Sequence, residues 1–136
     1  MKSITKEQLQ LILDNHSKWL NNNNNEGQKA DLSDCDLQNA NLSYANLSYA
    51  NLKNANLSYA NLYNADLNNA NLKNANLSYA DLYNANLKNA NLDNADLYNA
   101  NLKNADFCGA DLTGTILEGK DLSTKFPISL YLMRRK

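Results

Sequence analysis

Few side chains in this sequence are equipped for chemistry. There is one His and there are two Cys, so no cluster of imidazoles or thiols exists to hold a metal or to run acid–base catalysis. His16 falls in an amphipathic stretch and reads as a half-buried spacer. Ser is common but has no His and Asp partner for nucleophilic attack. No Gly-rich phosphate loop is present. Asp31, Asp36, Asp66, Asp81, Asp96, Asp106 and Asp111 offer the oxygen atoms that calcium favours, but they alternate with neutral Asn. No carboxylate cluster follows, so neither a metal nor another cofactor is expected, and no enzyme. Triplets such as Asn41-Leu42-Ser43 match a glycosylation acceptor only as by-products of the pattern described next.

That pattern dominates the chain. Asn occurs 27 times, Leu 24 times and Ala 16 times in 136 residues, and Val is absent. From Ala30 onward Ala-(Asn/Asp)-Leu-X-X recurs, with Leu at 32, 37, 42 and on to 102, Phe at 107, then Leu at 112, 117 and 122. A period of five suits neither a straight helix, where five residues advance about 500°, nor a straight strand, where odd spacing alternates faces. Every Leu stays inside only if the chain turns once per repeat. Ala and Leu then point inward, Asn or Asp points outward between them, and the last two residues form an exposed corner. The number of repeats per turn is left open by the period itself.

These residues resemble the pentapeptide-repeat family, whose pattern is a small residue, Asp or Asn, Leu or Phe, and two variable positions. The likeness covers residues 30–124, with 19 slots. It implies an all-β solenoid, a right-handed quadrilateral β-helix with four repeats per coil and about 4.75 coils. At about 4.8 Å per coil the solenoid is roughly 23 Å long. In that register Cys35 takes an inward slot and Cys108 a corner over three coils away, so a disulfide between them is excluded. This fits a reducing, cytoplasmic setting. The start of the chain is polar, no signal peptide is visible, and no apolar run reaches membrane length.

Solenoid ends need covers. Thr5 and Gln8 have capping-box spacing, and Leu9, Ile12, Leu13, His16, Trp19 and Leu20 share one helical face. Residues 5–20 therefore read as a capping helix, with a partner-binding helix as the alternative, followed by an Asn-rich linker through Gly27. The domain plan is thus 1–29, 30–124 and 125–136. Near the other end Gly109, Gly114 and Gly119 enter the corners, Ile116 replaces Asn or Asp, and Lys120 takes an inward slot. A buried Lys is costly, so regular coiling should stop between Leu117 and Leu122. Phe126, Ile128, Leu130 and Leu132 then serve either as a cap or as a homodimer contact, in helix or strand.

In the 20-residue register Tyr59 lies beneath Tyr79 and Tyr63 beneath Tyr83, with Lys103 next above. Two Tyr stacks flanking one corner, finished by a cation–π contact, are expected. They are either stabilising stacks or a binding patch. Asn51, Asn71 and Asn91, or Asn54, Asn74 and Asn94, should form amide ladders, and Lys73 should pair with Asp93.

The net charge of −1 hides an imbalance. Residues 30–124 hold ten Asp and one Glu against five Lys, a net of −6, while the segments before and after them are basic. Some family members imitate DNA and bind type II topoisomerases. A 23 Å stretch of duplex carries about 14 negative charges, so this coil has less than half that density. The leading expectation is a non-enzymatic scaffold that presents a regular surface to an unidentified protein partner. The alternative is a DNA-mimicking topoisomerase binder. Direct nucleic-acid or membrane binding is not expected.

Overall fold

Each five-residue unit closes on itself by a tight turn. From Ala40 to Ala105 the amide of each repeat's Ala reaches back to the carbonyl of the Leu three residues earlier, as in Ala75 N–H to Leu72 O at 3.0 Å. The residue just before that Ala holds a left-handed backbone, with φ between 56° and 66° at fifteen non-glycine positions from Asp34 to Asn104. A positive φ at the third position of a four-residue turn is what a type II turn demands. Asn tolerates this conformation better than other non-glycine residues, and it fills ten of the fifteen positions. The exposed corner is therefore a backbone requirement as well as a polar surface.

In the computed structural model, which describes residues 1–22 and 25–120, parallel bridges join residues 20 apart. Asp31, Asn51, Asn71, Asn91 and Asp111 form one column; parallel columns run from Asp36 to Asp96, Asn41 to Asn101 and Asn46 to Asp106. Four columns at a spacing of 20 mean four repeats per coil. We number the four sides 1 to 4 in that order. Each repeat from Ala30 to Asn94 makes three bonds to the next coil along the axis, as when Leu72 N–H donates to Asn91 O (2.7 Å), Asn74 N–H to Asp93 O (2.9 Å) and Asn91 N–H to Ala70 O (2.9 Å). The paired stretches are so short that they remain isolated bridges.

The core is one continuous stack. Leu32 through Leu102 are at most 2% exposed at every slot, Phe107 is 2% exposed, and the Ala flanks in the central coils are buried. Burying one such Leu contributes about 1.5–3 kcal/mol.

Helix α1, Lys6–Asn21, lies across the first coil. Thr5 caps it: its side chain accepts from Gln8 N–H, and Gln8 Oε1 accepts from Thr5 N–H. Leu9 is buried, and Ile12 and Leu13 pack against the same core. The helix includes Asn21, which the sequence places in the linker. Ahead of it, Lys2 adds a short pairing the period does not foretell, with Lys2 N–H to Asp34 O (2.7 Å) and Asp36 N–H to Lys2 O (2.8 Å).

At the far end the last bridge among the described residues is Asn91 with Asp111. Ile116 lacks the side-chain acceptor of Asn, and Thr115 takes over locally, accepting from Leu117 N–H and donating to Leu112 O. Leu117 is still buried, whereas Lys120 is exposed and not inward. The expectations for Leu122, Phe126, Ile128, Leu130 and Leu132 lie outside the described residues.

Candidate interaction surface

Every outward Asn or Asp has a task inside its own repeat. Its Oδ1 accepts the amide two residues on, from Asp31 with Ser33 N–H (3.1 Å) to Asp111 with Thr113 N–H (3.1 Å). This locks the corner, and it explains why the position is always Asn or Asp up to Asp111. Where Ser follows, its hydroxyl adds a second bond, as from Ser78 Oγ to Asn76 Oδ1 at 2.6 Å. The same hydroxyl and amide bonds, from Ser33 and Thr113, hold the Asp31 and Asp111 carboxyls below the ordinary Asp range. Amides also bond between coils: Asn51 to Asp31 (3.2 Å), Asn54 to Asp34 (3.0 Å) and Asn74 to Asn54 (3.2 Å), with Asn56, Asn86 and Asn101 reaching Asp36, Asp66 and Asp81. Much of the acidic and amide surface is thereby engaged in holding the coil.

The Tyr side chains are arranged differently. Tyr59 and Tyr79 stack at 4.8 Å with planes 3° apart, and Tyr98 meets Tyr79 edge-on at 5.7 Å. Tyr63 and Tyr83 stack at 5.3 Å and 6°, and Tyr44 meets Tyr63 edge-on at 5.6 Å. A centroid step near the coil rise means the rings lie on top of one another along the axis. The two triplets stand at the corners before and after side 3, so they flank a side and not a corner. Between them runs the column Asn41, Asn61, Asp81 and Asn101. Lys103 is exposed above Tyr83, but among the described residues no ring contact includes it, so the expected cation–π pair is not formed. Tyr98 and Tyr44 were not singled out by the sequence. Tyr98 sits in the same corner column as Ser78, and Tyr44 needs the coil geometry to reach Tyr63.

Side 3 carries one acidic residue in its column. The two ion pairs among the described residues lie elsewhere, Lys73 with Asp93 at 3.1 Å and Lys88 with Asp106 at 3.6 Å, both partly exposed. Among the described residues no three His, Cys, Asp or Glu side chains gather in one place. Cys35 and Cys108 are both free thiols; burial raises the pKa of Cys35.

His16 departs most from its sequence reading. It is fully buried, not half-buried, and both ring nitrogens are bonded: Ala30 N–H donates to Nδ1 and Nε2 contacts Ser48 O, each at 2.9 Å. An amide can only donate, so Nδ1 is bare and Nε2 carries the proton. Burial holds the ring below the ordinary His value; the bond to Ser48 opposes this shift, and the charge of Lys29 adds to it.

The comparisons with known proteins agree with this geometry. The family model described as pentapeptide repeats matches residues 28–58, 55–94, 75–114 and 90–123 in eight copies. A search of curated proteins returns no match. Among solved structures, HetL from the cyanobacterium Nostoc is 42% identical with a TM-score of 0.63, covering 67% of this chain and 44% of its own. Rfr23 from the cyanobacterium Cyanothece is 43% identical with a TM-score of 0.64, covering 67% and 62%. A pentapeptide repeat protein of the Arabidopsis thaliana thylakoid lumen is 34% identical with a TM-score of 0.63, covering 70% and 66%. The match thus spans less than two thirds of each relative. With the repeat, the 20-residue bridge spacing and these likenesses in hand, the chain belongs to the pentapeptide repeat family.

Proposed function

We propose that the protein is a non-enzymatic binding module, built as the right-handed quadrilateral β-helix of its family, and that side 3 with its two Tyr rows receives a protein partner. One observation carries this reading. Tyr44, Tyr59 and Tyr79 occupy the left-handed corner position, at φ of 62°, 61° and 61°. A bulky side chain there costs about 1–2 kcal/mol relative to an ordinary backbone, and Asn, the usual occupant, would relieve part of it. Aromatic residues kept at strained, exposed positions suit recognition better than folding. These three are 43–70% exposed. HetL is described as involved in regulation of heterocyst differentiation, a role that binding alone can serve.

The test replaces rings without disturbing the corner. Tyr59→Asn with Tyr79→Asn keeps a residue suited to positive φ. Used as cross-linking bait, the wild-type chain should capture a partner that the double variant loses, while the melting temperature changes little. Equal capture by both would sink the assignment of side 3.

DNA mimicry is the second reading, favoured by the regular rod and the net −6 of residues 30–124. Its weakness is charge density, because Lys73 and Lys88 neutralise Asp93 and Asp106 on the surface. Inhibition of gyrase supercoiling at micromolar protein would promote it over the first reading.

A further inference from the structure

We propose that His16 is a proton-operated latch, which holds helix α1 on the first coil while its ring is neutral and releases it when the ring is protonated. The argument begins with what the first coil lacks. In the regular coils the left-handed corner residue donates its amide to the carbonyl 19 residues on: Asp34 to Lys53, Asn39 to Ser58, Tyr44 to Tyr63, Tyr49 to Asn68. By that register Ser48 O should be reached from position 29. It is reached by His16 Nε2. In the regular corners each Ala amide donates to the Leu carbonyl three residues earlier, as Ala50 does to Leu47. Ala30 has Gly27 at that place, and its amide goes to His16 Nδ1. A single imidazole thus supplies both the donor and the acceptor of the missing repeat.

Only one protonation state can do this. A proton added at Nδ1 sets a donor against the Ala30 amide, which has no other role to adopt. The ring is 0% exposed, so the new charge would also be buried. Among the described residues no carboxylate stands ready to receive it. On its own helix, Asp14 is bonded to Gln10, and Lys18 is exposed. From the segment before the first coil, Lys29 acts on the ring with the same sign, and Glu26 is exposed. From side 1, Asp31 is engaged by Ser33 and Asn51. From side 4, Tyr49 meets Trp19 edge-on at 6.4 Å.

The direction of the pH effect follows. The folded ring binds its proton less readily than the unfolded one, so the unfolded state holds more protons below the ordinary His value of about 6.5. The latch is at full strength above that pH and weakens as pH falls below it. Lys2 pairing and the bond from Gln28 N–H to Asn15 O do not titrate in this range. They keep the opened helix tethered near the coil.

Trp19 is the natural reporter. It is the sole Trp, and it stacks on His16 with centroids 5.6 Å apart and planes at 16°. The experiment follows the His16 ring and the Ala30 amide by NMR, and Trp19 emission, from pH 7.5 to 4.5 on the full chain. The His16 midpoint should lie below 6.5. Exchange protection of the Ala30 amide, corrected for intrinsic rates, should fall at least tenfold across that midpoint, while that of Ala70, bonded to Leu67 O, stays constant. In His16→Gln, which retains an amide donor but cannot titrate, Trp19 emission should be flat over the same range. A midpoint at or above 6.5, no titration down to pH 4.5, or an Ala30 protection that survives His16 titration would each overturn the proposal. Should the Gln variant fail to seat its helix, the wild-type exchange data decide alone.

Discussion

The N-terminal end and the central coils are held together by different logic. In the centre each residue type does one job many times. Leu72, Leu77, Leu82 and Leu87 are all fully buried, and each has equivalents one coil above and below. At the N-terminal end single residues do unique jobs: Lys2 pairs with the first coil, Gly27 packs under α1, and His16 stands in for a missing repeat. Stability in the first region is distributed over neighbours, as nearest-neighbour models of solenoids assume. In the second it is concentrated in a few contacts that nothing duplicates.

The most disruptive test of that contrast is a central cavity. Leu72→Ala should cost about 3–5 kcal/mol in urea denaturation, whereas Leu9→Ala, at the rim of the core, should cost about 2 kcal/mol. Equal losses would mean that the helix is as integral as a coil.

Glycine comes next, because Gly27 and Gly109 share a positive φ of 73° and 75° and differ in surroundings. A Cβ on Gly27 would run into backbone, the Asn15 carbonyl and the Trp19 nitrogen. Gly27→Ala should therefore destabilise α1 by about 2–4 kcal/mol, counting left-handed strain and overpacking. At Gly109 the obstacle is the movable side chain of Asn89, itself the equivalent residue one coil below. Gly109→Asn should stay within about 0.5 kcal/mol of wild type, as surface changes generally do. Thermal melts of the two variants measure the difference.

Smaller effects separate the Tyr positions. Tyr79→Asn loses a face-to-face stack worth about 0.5–1.5 kcal/mol but eases the corner, so its net change should be below about 1 kcal/mol. Tyr44→Asn gives up only an edge contact from a residue 70% exposed and should be neutral or slightly stabilising. The smallest change is expected for Lys73→Met, at about 0–1 kcal/mol and shrinking with added salt, since the Lys73–Asp93 pair is partly exposed.

What was legible beforehand follows the same division. The inward Leu and Ala, the stacked Tyr pairs and the Lys73–Asp93 pair are all consequences of one repeat and one coil length; of the expected Asn ladders only the Asn74 to Asn54 bond forms among the described residues, the other inter-coil amides reaching Asp. Thr5 and Gln8 were readable because a capping box is local in sequence. The left-handed corner was within reach too, since Asn recurs at that position and tolerates the conformation. The extent of Tyr44 and Tyr98 in the rows needed the diagonal reach between corner positions, which no column count supplies.

The sequence by itself determined that the chain turns every five residues, which side chains face inward, and that Thr5 caps a helix. Those properties depend on spacing and on near neighbours along the chain. Tertiary structure alone decided that His16 is a buried bridge, that Lys2 extends the first coil and that Gly27 lies under the helix. His16 meets partners 14 and 32 residues away, separations that obey no period. Closing an end requires filling whatever hydrogen bonds the last coil leaves open, and only the folded edge defines which those are.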